Sequence, residues 1–158
     1  FRRVLFRSRL IAAGQLSPVE VVSAVISRIE ALEPQLNAFV TFAPEKALDA
    51  ARKAEAMLSR GVAVGPLHGV PVTIKDLADT ADMPTQKGSF ILESNVPAAD
   101  TPLVTRLRAA GAISLGKTTT SEFGWKGVSE SPLTGITHNP WGLGLNAGAS
   151  SEIGRAHV

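Results

Sequence analysis

Two residues of this chain, Lys75 and Ser150, are of types that together can move a proton during nucleophilic catalysis. Lys75 lies near the end of an apolar, β-branched run, residues 69–76. A lysine in such a run that stays away from water has a lowered pKa and can accept a proton near neutral pH. Ser150 lies in a run of small residues, 148–151, that ends in two hydroxyls. The pair therefore suggests a hydrolase in which a lysine acts as base on a serine.

Each of these residues also has an ordinary structural interpretation. Lysines often end strands and point to solvent, and the neighbouring Asp76 can simply pair with Lys75. Serines beside glycine and asparagine are common in loops. Trp125 and Trp141 are expected to pack on the core or to line a pocket. Taken alone, these residues leave both interpretations open.

A phosphate-binding pattern, G-x-x-x-x-G-K-[ST], matches residues 111–118 letter for letter. The pattern has a mechanism only where a strand precedes the first glycine and the four middle residues form a loop around the phosphates. Here a helical pattern precedes Gly111, and the middle residues, 112–115, are typical of a buried strand. A nucleotide-binding NTPase is therefore the less favoured alternative.

The elements that must position these groups alternate between helices and strands, which predicts an α/β fold. Ser17-Pro18 followed by Glu20 is typical of a helix start with a capping box, and Pro34 is expected to end that helix. The predicted order is a helix from 17 to 33, a strand at 37–42, a helix at 44–61, a strand at 70–74, mostly loop at 77–100 with an apolar piece at 90–92, a helix at 101–110, a strand at 112–115 and an irregular functional surface at 116–151.

The composition is that of an ordinary globular protein, with 158 residues of which 44% are hydrophobic and 19% charged. No apolar run approaches the ~18 residues of a membrane span. The absence of cysteine excludes disulfides and thiolate metal sites. The histidines are not spaced as metal ligands, and no metal or cofactor is predicted.

The two ends of the chain, 1–8 and 152–158, are predicted to be non-native. DNA that can encode 153–158 lies within the reverse complement of DNA that can encode 1–8, as expected for sequencing adapter read in from both sides. These flanks hold four arginines and one glutamate. Without them 12 basic and 13 acidic residues remain, a net charge of −1 rather than +2. The basic balance of the chain is therefore no argument for nucleic-acid binding.

Four motifs, in the right order, resemble those of the amidase signature family. The matching segments are 65–76 (GPLHGVPVTIKD), Thr85 with Gly88-Ser89, 109–118 followed by Glu122-Phe123, and Asn139-Pro140-Trp141 followed by 148–151. The resemblance implies that 9–151 is the N-terminal portion of a single amidase domain, truncated, with a mixed central sheet flanked by helices.

By motif position, the resemblance implies that Lys75 is the general base and that Ser150 is the serine held by a cis peptide bond, which bridges the lysine and a nucleophilic serine. The family carries that nucleophile further along, in a glycine-rich run. Here the pattern stops after Ser151, where Glu152-Ile153 stand in place of two expected glycines. The resemblance thus implies an amidohydrolase that cleaves the C–N bond of linear carboxamides, and a 158-residue chain that is itself inactive.

The resemblance further implies a small-molecule amide substrate, a cytoplasmic location and a homodimer of the full-length parent, with no nucleic-acid or membrane partner. The alternative within the family is the amidase subunit of a Glu-tRNA(Gln)/Asp-tRNA(Asn) amidotransferase, which needs protein partners and tRNA. Residues 122–127 look more like stand-alone amidases, so hydrolysis is favoured. The particular amide is not predicted.

Overall fold

A computed structural model of the protein describes residues 2–62 and 64–148. Helices and strands alternate along most of this length, as predicted for an α/β protein. The elements are helices α1 (Arg2–Ala12), α2 (Pro18–Leu36), α3 (Pro44–Ser59) and α4 (Pro102–Ala109), strands β1 (Phe39–Phe42), β2 (Pro71–Lys75), β3 (Ile113–Thr118), β4 (Glu130–Ser131), β5 (Gly135–Ile136), β6 (His138–Asn139) and β7 (Gly142–Asn146), and 3₁₀ turns at Phe90–Leu92 and Glu122–Gly124. None of the helices described is long and apolar enough to cross a membrane.

The main sheet has the strand order β1-β3-β2, with β3 in the centre. Strand β2 runs parallel to β3 and β1 runs antiparallel to it, so the sheet is mixed. Helices α2 and α3 pack on this sheet through a cluster that joins Val22 and Ile26 of α2 and the alanines of α3 to Ile113 and Leu115 of β3. Burial of apolar surface is the dominant favourable term in folding. The core therefore holds β3 in place, and β3 positions β2.

Helix α2 begins where predicted but ends later than predicted. Its capping box at Ser17 is present. The helix was expected to end at Pro34, yet it continues to Leu36. A proline removes only one N–H group from the final turn. Asn37, in the left-handed conformation, donates its N–H to Glu33 O at 2.9 Å and closes that turn.

Strand β3 is longer than its apolar residues predicted, because pairing continues past Leu115 to Thr118. Gly116 allows this: its φ is 144°, and a Cβ there would lie 2.1 Å from Thr41 O on β1. The register between β3 and β2 shifts across Gly116, which marks a β-bulge. Residues 116–118 are therefore part of a strand, and the 111–118 pattern does not form a phosphate-binding loop.

The segment after β3 is more regular than the prediction of an irregular surface at 116–151. Within the residues described there, β4 pairs with β5 and β6 pairs with β7, both antiparallel. The side chain of Trp141 is 96% exposed and that of Trp125 is 75% exposed, so neither packs on the core. Trp125 instead lines a shallow cavity together with Lys126 and Glu130.

Candidate active site

The carboxyl ends of β2 and β3 meet at one edge of the sheet because the two strands are parallel. Lys75 ends β2 and pairs with Thr118, which ends β3. The N–H of Asp76 extends this ladder by donating to Thr118 O at 3.0 Å, and Ala78 N–H then donates to Lys75 O at 3.0 Å as the chain turns. Ligands of open α/β sheets bind at this edge. Lys75 is half-buried there, within reach of a ligand.

The ammonium of Lys75 has no hydrogen-bond or ion-pair partner within 2–62 and 64–148. The expectation that Asp76 pairs with it was wrong, because the carboxylate of Asp76 is paired with Lys117. Successive residues of an extended strand point to opposite faces of the sheet. Lys75 and Asp76, as neighbours in sequence, therefore turn their charges to different sides.

The buried lysine at this edge is Lys117, whose side chain is 0% exposed. Its Nζ donates to Ala78 O at 2.8 Å, to Thr85 Oγ1 at 2.5 Å and to Thr80 Oγ1 at 3.3 Å. Asp76 Oδ1 lies 3.5 Å from the same nitrogen and supplies the opposite charge. An ammonium group has three donors. Lys117 is therefore a buried cation with all of its donors used.

Burial shifts the proton affinity of both members of this pair. Desolvation lowers the pKa of Lys117, and the neighbouring Asp76 carboxylate opposes that shift. Desolvation raises the pKa of Asp76, opposed by the Gln86 N–H that donates to Asp76 Oδ2 at 3.0 Å and by the charge of Lys117. The sequence predicts a desolvated lysine at position 75, and the fully buried lysine that the structure shows at this edge is Lys117.

Sequence reasoning missed the role of Lys117 because of the bulge in β3. Strict alternation along the strand would direct the side chain of Lys117 to the face of Ile113 and Leu115, into an apolar cluster. The extra residue at Gly116 interrupts the alternation and turns Lys117 to the other face, where the segment after β2 supplies oxygen atoms. The available signal was the glycine inside an apolar strand, which often marks a bulge.

The motif formed by Thr85, Gly88 and Ser89 lies at the same edge. Gly88 has a φ of 67°, and a Cβ there would lie 2.8 Å from Thr120 O, so a side chain would separate the two segments. Phe123 N–H also donates to the backbone oxygen of residue 87 at 2.7 Å. The segment 76–89 therefore packs directly on the residues that follow β3.

Ser150, the second predicted catalytic residue, lies outside the described residues. The chain is described as far as Gly148, whose N–H donates to Asn146 Oδ1 at 2.7 Å and whose O accepts a hydrogen bond from Ser129 Oγ. Asn146 Oδ1 also accepts from Ser129 N–H at 3.1 Å. These hydrogen bonds fix the backbone at residues 146–148 against Ser129. The catalytic roles of Lys75 and Ser150 remain predictions.

The fold and the edge define a class: an α/β protein with a mixed sheet and a lysine-bearing site at the carboxyl ends of two parallel strands. Comparison with known proteins then identifies the family. A family model described as Amidase matches residues 20–152, and the chain belongs to this family.

Relatives of known name include both branches anticipated from the motifs. The chain is 43% identical over 148 residues to the acylamidase of Rhodococcus erythropolis, a match that covers 94% of this chain and 31% of the relative. It is 44% identical over 141 residues to a glutamyl-tRNA(Gln) amidotransferase subunit of Salinispora tropica, covering 89% and 29%. The chain thus spans about a third of the length of the curated relatives it matches.

Solved structures agree with this assignment. A bacterial aryl acylamidase of the amidase signature family superimposes with a TM-score of 0.83 at 32% identity, covering 91% of this chain and 30% of that one. A fatty acid amide hydrolase superimposes with a TM-score of 0.87 at 29% identity, covering 94% and 26%. The described residues therefore have the architecture of one part of an amidase signature domain.

Proposed function

We propose that residues 9–151 form the N-terminal portion of an amidase domain that hydrolyses the C–N bond of carboxamides. The observation that carries the proposal is the place of Lys75, at the carboxyl edge of a parallel strand pair in a chain that belongs to the amidase family. Its ammonium is unpaired within the described part of the chain, and so it is open to a hydroxyl brought in by residues beyond Gly148.

In the proposed relay, Lys75 accepts a proton from the Ser150 hydroxyl as Ser150 accepts one from the nucleophilic serine that attacks the amide carbonyl. The same groups then return protons to the leaving amine. General acid–base steps of this kind contribute roughly 10²–10⁴-fold to rate. The relay needs no cofactor or metal. Lys75 and Ser150 supply the base and the bridging serine but not the nucleophile, so we expect the 158-residue chain alone to be inactive.

The exposed apolar side chains fit the proposal that these residues are part of a larger domain. Trp141, Leu145 and Ile91 are 96%, 64% and 83% exposed in the described structure. Apolar side chains of this size would be buried where another part of the protein covers them. This chain covers 31% and 29% of the two named relatives, so most of the length of each relative lies outside the matched part and could supply such a contact.

The substrate we propose is a small-molecule acylamide, because an acylamidase and an aryl acylamidase are among the similar proteins. We also propose a cytoplasmic location, a homodimer of the full-length parent, and no nucleic-acid or membrane partner. The alternative, the amidase subunit of an amidotransferase with tRNA and protein partners, is supported by relatives of similar identity. The identities alone do not separate the two.

A chimera tests the proposal. Residues 9–151 replace the matching segment of the Rhodococcus erythropolis acylamidase, and hydrolysis of an aryl acylamide is measured by release of the amine. We expect activity in the chimera, and a loss of about a thousandfold or more in kcat for Lys75→Ala. Lys53→Ala, which changes an exposed lysine on α3, is the matched control and should leave kcat unchanged.

Equal activity of the Lys75→Ala and Lys53→Ala chimeras would exclude Lys75 as the base. The alternative function is tested in the same way, by placing residues 9–151 in the matching Salinispora tropica amidotransferase chain and measuring tRNA-dependent amide transfer with its partner proteins. Activity in that background, with none in the acylamidase background, would favour the amidotransferase.

A further inference from the structure

Lys117 has a place in the fold that the proposed relay does not use. Its three donors and its charge are directed to Ala78 O, Thr80 Oγ1, Thr85 Oγ1 and Asp76 Oδ1. All four oxygens belong to the ten residues that follow Lys75 in the chain. One buried cation on β3 therefore holds both the start and the far end of the segment 76–85.

Asp76 makes the complementary set of contacts from the end of β2. Its N–H donates to Thr118 O at 3.0 Å, its backbone O accepts from Lys87 N–H at 3.1 Å, and its Oδ2 accepts from Gln86 N–H at 3.0 Å. Its Oδ1 receives no hydrogen bond from a described residue and faces Lys117 Nζ. The residue next to Lys75 is thus tied to β3, to the loop and to the buried lysine.

A buried ion pair needs a reason other than stability. Removing two charges from water is costly, and apolar residues of similar volume are often as stabilising or more so. A charged pair has one advantage, because its donors and acceptors are satisfied in a single arrangement. At this edge the arrangement that satisfies Lys117 is the one that folds the segment 76–87 back on β3.

We propose that Lys117, paired with Asp76, is a positioning residue that holds the segment after β2 closed on β3 and so fixes Lys75 at the carboxyl edge of the sheet. The holding of the segment is independent of any activity, and its purpose rests on the proposed role of Lys75. Without Lys117 the carboxylate of Asp76 and the two threonine hydroxyls lose their common partner, and the segment opens.

Backbone hydrogen exchange in the 158-residue chain tests the holding role. In Lys117→Met, which keeps an unbranched side chain that is one atom shorter but removes its charge, we expect the amides of Gln86 and Lys87 to exchange about tenfold faster or more. The amide of Ile113, which donates to Val70 O in the same sheet, should stay within about twofold of its original rate.

The matched control is Lys87→Met, because Lys87 makes a partly exposed ion pair within this loop, with Asp79 at 3.4 Å and with both side chains about a third exposed. We expect all three exchange rates to stay within about twofold in this control. Exchange at Gln86 that is unchanged in Lys117→Met, or equally accelerated in both variants, would overturn the proposal.

A second variant and a second readout cover the case in which Lys117→Met does not fold. Asp76→Asn keeps the shape of the side chain, and Gln86 N–H can still donate to the amide oxygen. In chain labelled with ¹³C-lysine, we expect the Cε signal of Lys75 to shift in Asp76→Asn and to remain in place in Lys87→Met. If the Lys75 signal does not move in Asp76→Asn, the pair of Lys117 and Asp76 stabilises the fold without positioning Lys75, and the proposal is overturned.

These readouts separate the two proposals. Neither uses turnover, so an inactive Lys75→Ala chimera with normal exchange in Lys117→Met would support the function and reject the positioning role. Fast amide exchange in Lys117→Met and a shifted Lys75 signal in Asp76→Asn, together with a fully active Lys75→Ala chimera, would support the holding of the segment and reject the proposed function of Lys75.

Discussion

Lys75 and Lys117 stand on neighbouring parallel strands, one residue apart in register, and their surroundings are opposite. Lys117, paired across the strands with Ile74, is fully buried and surrounded by four oxygen atoms. Lys75, paired with Thr118, is half-buried, and its ammonium is unpaired among the described residues. The lesson is that burial alone does not identify a base. The fully desolvated lysine has every donor used, whereas the available one is its less buried neighbour.

The largest expected difference is in stability. Lys117→Ala leaves Asp76 as a buried charge without its partner, and breaking such a pair typically costs about 3–5 kcal/mol of unfolding free energy. Lys75→Ala removes no contact of that kind and should cost less than about 1 kcal/mol. Urea denaturation followed by circular dichroism measures both. Equal losses of unfolding free energy in Lys117→Ala and Lys75→Ala would show that the buried contacts of Lys117 do not stabilise the fold.

The bulge at Gly116 is the next target, because it turns Lys117 away from the apolar cluster. An alanine there is strained at a φ of 144° and would bring its Cβ to 2.1 Å from Thr41 O. We expect Gly116→Ala to cost about 3 kcal/mol, from the strained backbone and the clash together. Gly61→Ala, also at positive φ but with open space around it, is the control and should cost only about 1 kcal/mol. A mild effect at Gly116 would mean that β3 does not need its bulge.

A double-mutant cycle measures how closely Asp76 and Lys117 act as a pair. We expect the double variant Asp76→Asn/Lys117→Met to be more stable, by about 2 kcal/mol, than the sum of the single losses predicts, because the second change removes the group that the first left unpaired. The same cycle on the partly exposed pair Lys87 and Asp79 gives the baseline. If the losses of unfolding free energy at Asp76 and Lys117 were simply additive, the 3.5 Å approach of Lys117 Nζ to Asp76 Oδ1 would carry no interaction energy, and the prediction would be wrong.

The pH dependence of stability tests the desolvation of Lys117. The pKa of Lys117 is lower in the folded state than its usual 10.5, so the unfolded chain binds more protons as the pH falls below 10.5. The free energy of unfolding therefore rises with pH in that window. Urea midpoints at about pH 8 and about pH 10 should show this rise in the original chain and lose part of it in Lys117→Met. The facing carboxylates of Asp76, Asp79 and Asp82 act in the opposite direction and reduce the shift.

The smallest effect is expected for the partly exposed pair of Lys87 and Asp79 in the same loop. Lys87→Met removes an ion pair at 3.4 Å whose members are both about a third exposed. Such pairs contribute about 0–1 kcal/mol, and salt screens them. A loss in thermal denaturation as large as that of Lys117→Ala would indicate that the loop is held from its surface rather than from β3.

The sequence was sufficient wherever local rules decide the structure. The capping box at Ser17, the proline-initiated helices at 44 and 102 and the strand predicted at 70–74, which the structure shows at Pro71–Lys75, follow from short patterns. The end of α2 did not follow, because Asn37 closes a turn that Pro34 was expected to end. Local propensity does not register a bond made by one cap residue in the left-handed conformation.

The candidate site was predictable in part for a related reason. The strand pattern placed Lys75 at the end of a strand, but the ordinary interpretation of Asp76 paired it with Lys75 rather than with Lys117. The correct partner, Lys117, is about forty residues away in sequence, and its direction depends on a single bulge. A prediction from periodicity assumes that a strand is uninterrupted. It therefore cannot find a contact that depends on a β-bulge.

The strand order β1-β3-β2 has a consequence for how this chain behaves in solution. Strand β2 pairs on one side only within the described residues, so the amides and carbonyls along its outer side can pair with an extended segment from any chain nearby. Association, which grows with protein concentration, is then a specific hazard for the isolated polypeptide. Lys75 lies at the carboxyl end of that open row.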